Sequence, residues 1–237
     1  MSTRNNPLAR RESSLLCYVT DRRALGIADA AESVAALTQK IEEIAAAGVD
    51  WVQIREKDLT AKDLVSLTRQ SLRIAATLSA KRSCAIRVLV NDRLDVAIAE
   101  RADGVHLGEK SLPVREARRL LQSAPPKQDV GLPFLVGVSC HSTDAAKAAE
   151  GDGADYLFFG PIFETPSKLA FGRPQGLERL AQVCRTVAIP VIAIGGITLE
   201  NAASCVKAGA AGVAAIRLFQ ETHTPEGLIG ELRRLIA

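Results

Sequence analysis

The feature that most constrains the fold is an unbroken alternation, from residue 15 onward, of short apolar segments with longer amphipathic ones. The apolar segments are rich in β-branched residues and apolar on both faces, as in PVIAIGG (190–196), which is typical of parallel strands buried between helices. We predict strands at 15–21, 51–56, 87–92, 104–108, 135–141, 155–161, 190–196 and 212–219. We predict helices at 33–48, 60–78, 93–101, 113–123, 142–153, 176–187, 198–209 and 225–237.

Eight strand–helix pairs in roughly 220 residues predict a single-domain (β/α)₈ (TIM) barrel over residues 15–237. An open, doubly wound sheet is the alternative, but its first turn is usually glycine-rich, and TDRRALG (20–26) lacks a GxGxxG motif. Residues 1–14 are expected to form a disordered lead-in. Gly48 is placed as a helix C-cap, Thr60 as an N-cap and Pro113 as a first helical residue.

The charge and cysteine content exclude several classes of function. The net charge is +3, and because the lead-in carries three arginines and one glutamate (+2), the remaining chain has only +1. There is no basic stripe for nucleic acid, and no run approaches the length of a membrane span. The 5 cysteines are scattered and show no CxxC spacing, so we expect free thiols and a cytoplasmic protein.

The second strand ends in a group of charged residues, WVQIREKD (51–58). Side chains alternate along a strand, so Gln53, Arg55 and Lys57 share one face, while Ile54 and Glu56 share the other. If Gln53 points into the barrel, the guanidinium and ammonium groups lie above it at the carboxyl-terminal end, as an anion clamp would. The alternative is that the charges only solvate the end of the strand.

Polar residues and turn-forming residues follow most of the other strands as well: Asn91 and Asp92, Ser139, Cys140 and His141, Thr165, Pro166, Ser167 and Lys168, Gly195 and Gly196, and Arg217. Three cations, Arg55, Lys57 and Lys168, would face one acid, Asp92, which suggests a polyanionic ligand bridged by a divalent cation. The glycine pair could hold a phosphate on backbone N–H groups or could merely form a tight turn. Asp92 alone could equally cap the following helix.

At this point the sequence resembles the thiamine phosphate synthase family and the related thiazole tautomerases. The resemblance covers residues 15–236 and rests on QIREK (53–57), LVNDR (89–93), ADGVHLG (102–108), GVSCHS (137–142), GADYLFFGPIFETPSK (153–168), IPVIAIGGIT (189–198) and AGAAGVAAI (208–216). In the synthase reaction, the ring nitrogen of a thiazole phosphate displaces pyrophosphate from an aminopyrimidine methyl diphosphate. The leaving group departs from a stabilised carbocation, so the chemistry needs preplaced cations rather than a protein nucleophile.

The resemblance implies a role for each matching position. The pyrimidine diphosphate would contact Gln53, Ile54, Arg55, Glu56, Lys57, Asn91, Ser139 and Lys168. Asp92 would ligate Mg²⁺, the expected cofactor. The thiazole phosphate would contact Thr165, Pro166, Ser167, Gly195, Gly196, Ile216 and Arg217. Arg55, Lys57, Lys168 and Ser139 would act on the charge that develops during catalysis. The partners are then small-molecule substrates, with a homodimer possible.

Two positions depart from the synthase pattern and leave alternatives open. Ser111 stands where synthases typically carry a second metal-binding aspartate, and Glu109 could compensate only from another angle. Arg217 stands where a serine is usual. A tautomerase that uses His141, or a barrel that binds phosphates without catalysis, would also be compatible with these changes. Cys140 and His141 point to opposite faces and are not predicted to form a dyad, while His106 is expected to be a hydrogen-bonded barrel residue.

Overall fold

The computed structural model describes residues 14–82, 85–123, 133–165 and 174–237. The predicted barrel is confirmed: the strands pair in parallel in chain order, and β1 closes the sheet against β8. The strands are β1 (Leu15–Val19), β2 (Trp51–Ile54), β3 (Arg87–Asn91), β4 (Gly104–Leu107), β5 (Leu135–Cys140), β6 (Tyr156–Phe159), β7 (Val191–Ile194) and β8 (Gly212–Ala215). Because all strands are parallel, their carboxyl ends form one rim, which we call the mouth.

Helices follow the strands as predicted, with shifted boundaries. They are α1 (Ala30–Ala47), α2 (Ala61–Ser79), α3 (Leu94–Ala99), α4 (Val114–Ser123), α5 (Thr143–Gly151), α6 (Gly176–Thr186), α7 (Leu199–Lys207), α8 (Arg217–Gln220) and α9 (Pro225–Leu235). The prediction for strand eight was wrong at its end, because residues 217–219 lie in the short helix α8. Leu218 and Phe219 lie in this helical turn, and Phe219 is fully buried. A hydrophobic run alone does not distinguish a buried strand from a helical turn.

The capping residues explain where several helices begin and end. Thr60 accepts a hydrogen bond from the N–H of Asp63, and Gly48 closes α1 in a backbone conformation with φ of 122°, both as predicted. Helix α1 starts three residues before its predicted beginning because Asp29 is its N-cap and accepts from the N–H of Glu32. Pro113 lies immediately before α4 rather than at its first residue.

The core has two parts, separated by the barrel wall. Outward-facing strand residues pack against the helices. The barrel interior is filled by Leu15, Cys17, Val19, Trp51, Leu89, Leu135, Tyr156, Phe158, Ile192 and Ala214. The register places His106 beside Gly137, and Gly137 beside Tyr156. A Cβ atom at Gly137 would lie 2.0 Å from the ring of Tyr156, so the glycine makes room for that ring. The interior is therefore packed, and ligands can reach only its ends.

At the end opposite the mouth, hydrogen bonds tie the last helix to the beginnings of the first two strands. Asp50 accepts hydrogen bonds from the N–H of Leu16 and from Arg233 of α9, at 2.8 and 2.7 Å. Ser14, which we assigned to the lead-in, donates to the carbonyl of Ile236 at 2.7 Å, whereas residues 1–13 lie outside the described ones. Within the described ranges, no helix combines the length and apolarity that a bilayer crossing requires.

Candidate active site at the barrel mouth

A network of hydrogen bonds joins the ends of β2, β3 and β4. Gln53 points into the barrel, the condition on which the anion clamp depended, and donates to Asn91 at 2.9 Å. Asn91 in turn donates to Asp92 at 2.8 Å. Asp92 also accepts from the N–H of Gly108 at 2.9 Å and from the Ser111 hydroxyl in a very short contact. Asp92, with a φ of 60°, is thus held in a left-handed backbone conformation by contacts on both sides.

Ser111 therefore lies where the resemblance placed a second acid, directly beside Asp92. The Oδ1 atom of Asp92 already accepts two hydrogen bonds, whereas Oδ2 accepts one from Asn91. A carboxylate oxygen has two acceptor positions, so Oδ2 retains one for a further ligand. Among the described residues, no three His, Cys, Asp or Glu side chains converge as a metal site. The donor set suits a cation that keeps most of its waters and shares substrate phosphates, as Mg²⁺ does.

Arg55 and Lys57 lie just beyond the end of β2. Arg55 is partly buried, its backbone N–H donates to the Thr20 hydroxyl at 2.9 Å, and its guanidinium lies 3.9 Å from Asp21. Lys57 is exposed, and within the described parts of the chain it pairs with no carboxylate. Both cations are therefore accessible at the rim, where a polyanion would be bound.

Glu56, between these two cations, is turned the other way and buried. Its carboxylate accepts from the Thr20 hydroxyl at 2.6 Å and from the Arg22 guanidinium at 3.1 Å. Burial raises the pKa of Glu56 above its usual value, while Thr20 and Arg22 oppose this shift. Both carboxylate oxygens are engaged with the β1 side of the mouth. Any contact of Glu56 with a substrate would therefore come from its backbone.

Arg22 also reaches the next acid along the chain. Its guanidinium forms a two-pronged contact with Asp58, at 2.6 and 2.7 Å, and holds the pKa of that carboxyl well below its usual range. Glu56 and Asp58, on either side of Lys57, are therefore anchored to one arginine. Arg22 and Thr20 were not among the predicted site residues. Their only signal was the polar segment TDRR at the end of the first strand.

A second network lies inside the barrel, below the mouth. His106 is buried and contacts the Tyr156 hydroxyl through Nδ1 at 3.1 Å and the Ser139 hydroxyl through Nε2 at 2.9 Å. The prediction that His106 is a hydrogen-bonded barrel residue is confirmed. Burial lowers its pKa to about 3, while Asp92 raises it and Arg55 lowers it further. The ring is thus neutral at ordinary pH, and it lies close enough to Arg55 and Asp92 to respond to both charges.

The opposite side of the mouth carries the residues expected to hold the second phosphate. Gly195 and Gly196 follow β7 with φ values of 96° and 68°. A Cβ atom would lie 2.6 Å from Pro161 at the first position and 2.6 Å from the carbonyl of Glu164 at the second. The pair therefore forms a tight turn against the loop after β6, as one of our two interpretations required. Whether its N–H groups bind phosphate stays a prediction.

Ile216 and Arg217 lie at the start of α8, beside this turn in the strand order. Arg217 is exposed, and only a loose contact of 3.9 Å links it to Glu221. Thr165 is half-buried at the end of the described part of the β6 loop. Pro166, Ser167 and Lys168 lie outside the described residues. The predicted convergence of Lys168 with Arg55 and Lys57 accordingly stays a prediction.

His141 and Cys140 face different surroundings. Nδ1 of His141 makes a very short contact with the carbonyl of Gly160, and Nε2 lies 3.9 Å from the exposed Glu109. Cys140 is buried, and this burial raises the pKa of its thiol to about 12. A thiol with that pKa is a poor nucleophile, which agrees with the prediction that the two residues do not form a dyad. Cys17, Cys184 and Cys205 are also free thiols.

Comparisons with known proteins bear on the barrel as a whole. The family model described as thiamine monophosphate synthase matches residues 24–219. The thiamine-phosphate synthase of Roseiflexus sp. (strain RS-1) is 38% identical over 237 residues, which cover 100% of this chain and 91% of the relative. That of Moorella thermoacetica is 45% identical over 171 residues, 72% of this chain and 74% of the relative.

A solved structure extends this similarity to three dimensions. The thiamine phosphate pyrophosphorylase from Pyrococcus furiosus is 28% identical and superimposes with a TM-score of 0.76, covering 94% of this chain and 95% of that one. The match therefore includes nearly all the strands and helices described above. On the sequence match and the shared fold together, this chain belongs to the thiamine monophosphate synthase family.

Proposed function

We propose that this protein is a thiamine-phosphate synthase, which joins a hydroxymethylpyrimidine diphosphate to a thiazole phosphate and releases pyrophosphate. The observation that supports it most is the network from Gln53 through Asn91 to Asp92, next to the accessible cations Arg55 and Lys57. A fixed amide, a carboxylate and two cations at one rim suit a diphosphate that carries a neutral heterocycle. Relatives named for this activity match over 72% to 100% of the chain.

The reaction requires one bond to break and one to form. The bond between the pyrimidine methylene carbon and the diphosphate oxygen breaks, and the thiazole nitrogen supplies the electron pair for the new carbon–nitrogen bond. Negative charge grows on the departing pyrophosphate, and Arg55, Lys57 and Lys168 would stabilise it. Donors that are fixed in place before the reaction are the most effective for this purpose. The low thiolate character of Cys140 and the neutrality of His106 also fit a reaction that needs no protein nucleophile.

A magnesium ion fits this proposal. Asp92 would hold it through Oδ2, with the substrate diphosphate and water completing the coordination. When bound, Mg²⁺ would neutralise charge on the leaving pyrophosphate. Ser111 supplies a neutral hydroxyl where a second carboxylate is expected, so we infer that this site binds Mg²⁺ mainly together with the substrate. We place the protein in the cytoplasm, with small molecules as its partners.

The test is a pyrophosphate-release assay with both substrates and Mg²⁺. We expect release by the wild-type protein and a loss on the order of 10²–10³ in rate for Lys57→Ala and for Lys168→Ala, by analogy with the removal of an oxyanion-hole donor. Lys207→Ala is the matched control, because Lys207 is an exposed lysine at the far end of α7. Full activity of Lys57→Ala, or wild-type release that survives EDTA, would contradict the proposal.

The same assay distinguishes the two alternatives. A thiazole tautomerase would turn over without the diphosphate substrate and without metal, and would lose its activity in His141→Ala. A non-catalytic barrel would bind thiazole phosphate in calorimetry but release no pyrophosphate. The Oδ2 atom of Asp92 accepts from Asn91 and keeps one acceptor position for a cation, which favours the synthase over both.

A further inference from the structure

The hydrogen-bonded group Tyr156–His106–Ser139 contains a buried tyrosine that is not itself a predicted substrate contact. Tyr156 is fully buried on β6, and its ring crosses the position of Gly137 on β5 to reach His106 on β4. A Cβ atom at Gly137 would meet that ring at 2.0 Å, so this reach depends on the glycine. The neighbouring hydroxyl, Ser139, lies two residues above Gly137 on β5, on the side of the mouth.

The directions of the hydrogen bonds follow from the number of partners. Within the described ranges, His106 is the hydrogen-bond partner of the Tyr156 hydroxyl, at 3.1 Å. A buried hydroxyl proton without an acceptor costs about 1–3 kcal/mol, so the tyrosine must donate to Nδ1. A neutral imidazole that accepts at Nδ1 carries its proton on Nε2. That proton then points at the Ser139 oxygen, 2.9 Å away.

The tautomer of His106 determines whether Ser139 can donate a hydrogen bond to a ligand. Because its oxygen accepts from His106, its own proton is free to be donated elsewhere, and Ser139 is half-buried at the mouth. With the opposite tautomer, Ser139 would donate to Nε2 and present only an acceptor to a ligand. An acceptor would repel a diphosphate, whereas a donor stabilises it.

We propose that Tyr156 is a positioning residue: it fixes the tautomer of His106 with the proton on Nε2 and thereby makes Ser139 a hydrogen-bond donor toward the diphosphate of the substrate. This inference deepens the proposed function and rests on it for the identity of the ligand. The tautomer itself is independent of any substrate. The low pKa of His106 agrees with it, since a charged ring would have no tautomer to select.

The first measurement needs no variant. The protein contains 3 histidines, so long-range ¹H–¹⁵N NMR spectra of the ¹⁵N-labelled protein can assign each ring. We expect a neutral His106 with its proton on Nε2. This state should be unchanged between pH 5.5 and 8, because the lowered pKa of His106 lies below that range. A His106 ring with its proton on Nδ1 would overturn the proposal.

The second measurement removes the tyrosine hydroxyl. In Tyr156→Phe the donor to Nδ1 is lost, so His106 should shift toward the other tautomer. Ser139 would then lose its hydrogen bond to the charged diphosphate, so kcat should fall by about 10- to 100-fold, with a smaller change in KM. Tyr18→Phe is the matched control, because Tyr18 is equally buried but donates to Gln220 outside the barrel. It should leave the His106 tautomer unchanged. An unchanged tautomer in Tyr156→Phe would refute the role of the tyrosine.

A double variant separates this role from general destabilisation. If Tyr156 acts through Ser139, the kcat of Tyr156→Phe combined with Ser139→Ala should equal that of Ser139→Ala alone. Full additivity of the two losses would refute the connection. If the wild-type protein releases no pyrophosphate while its NMR spectra show the expected tautomer, the proposed function fails and the hydrogen-bond assignment stands.

Discussion

Arg22 offers the sharpest test of how the mouth is held together. Its side chain is 11% exposed and binds Glu56, whose side chain is 1% exposed, as well as Asp58, which is 35% exposed. We consider Arg22→Met, which keeps an unbranched apolar stem but removes the guanidinium and with it both ion pairs. The carboxylate of Glu56 then stays buried with only the Thr20 hydroxyl and a backbone N–H as partners.

The expected loss of stability follows from this burial. Removing one partner of a buried ion pair costs about 3–5 kcal/mol, because the other charge is left without compensation. The contact with the more exposed Asp58 adds at most about 1 kcal/mol, since solvent screens it. Glu56 can lower the cost by taking up a proton, so we expect a loss of about 3 kcal/mol in the free energy of unfolding at pH 7.5. Arg23→Met is the matched control, because Arg23 binds the same Asp58 at 2.9 Å but is 72% exposed. It should lose less than about 1 kcal/mol.

The pH dependence gives the reasoning a second test. Burial already raises the pKa of Glu56, and the loss of Arg22 removes groups that lower it. A carboxyl whose pKa is higher in the folded than in the unfolded state binds more protons when folded, so stability falls as the pH rises above the unfolded value of about 4.3. The gap between wild type and Arg22→Met should therefore be smaller at pH 5 than at pH 8. The pKa of Asp58 is shifted the other way, to below its usual value. Its ion pair therefore stabilises the wild type above about pH 4, and this stabilisation is lost at lower pH.

Urea denaturation at pH 5, 6.5 and 8 measures these differences directly from the midpoints, provided that the slopes stay equal. Two results would contradict the argument. One is a loss in Arg22→Met no larger than in Arg23→Met. The other is a gap that stays constant, or narrows, as the pH increases.

Two further predictions concern the rim. In Ser111→Asp, a second carboxylate would join Asp92, so the Mg²⁺ concentration for half-maximal pyrophosphate release should fall several-fold; an unchanged Mg²⁺ dependence would count against Asp92 as the ligand. In Gly196→Ala, the new Cβ would lie 2.6 Å from the Glu164 carbonyl, whereas in Gly26→Ala, at a similar φ of 70°, it would meet nothing within 4 Å. Both variants carry about 1–2 kcal/mol of left-handed strain, so thermal unfolding should show a clearly lower Tm for Gly196→Ala, and equal Tm values would refute the close packing at this turn.

The barrel could be predicted because its signals are local. Apolar segments of strand length, amphipathic segments between them and capping residues such as Thr60 each depend on a few neighbouring residues. Alternation along one strand predicted that Gln53, Arg55 and Lys57 share a face, although it did not show that this face points inward. The prediction for the end of strand eight was wrong for the same reason. Phe219 is apolar, and a buried strand and a buried helical turn can both accommodate such a residue.

The partners of the site residues depended on contacts between distant segments. Arg22 and Glu56 are 34 residues apart, and His106 and Tyr156 are 50 apart. Alternation shows which face a side chain occupies but not which neighbour it reaches across the sheet. The contact between Tyr156 and His106 further requires that Gly137, on the strand between them, has no side chain. Only the register of three strands contains that information.

These contacts explain why a charged strand end can serve as a binding site rather than as a solvated loop. In a loop that is merely solvated, the side chains reorient freely. Each of them would lose conformational entropy when an anion binds, and this loss would weaken binding. Here the backbone N–H of Arg55 is bound to Thr20, and Asn91 is bound to Gln53. Glu56 and Asp58, which lie on either side of Lys57, are both bound to Arg22. Thr20 and Arg22, which are not among the predicted substrate contacts, thus help to fix residues that are. Electrostatic stabilisation of a leaving group is strongest when its donors are already oriented, so the loss of Arg22 should impair pyrophosphate release even under conditions in which the variant is fully folded.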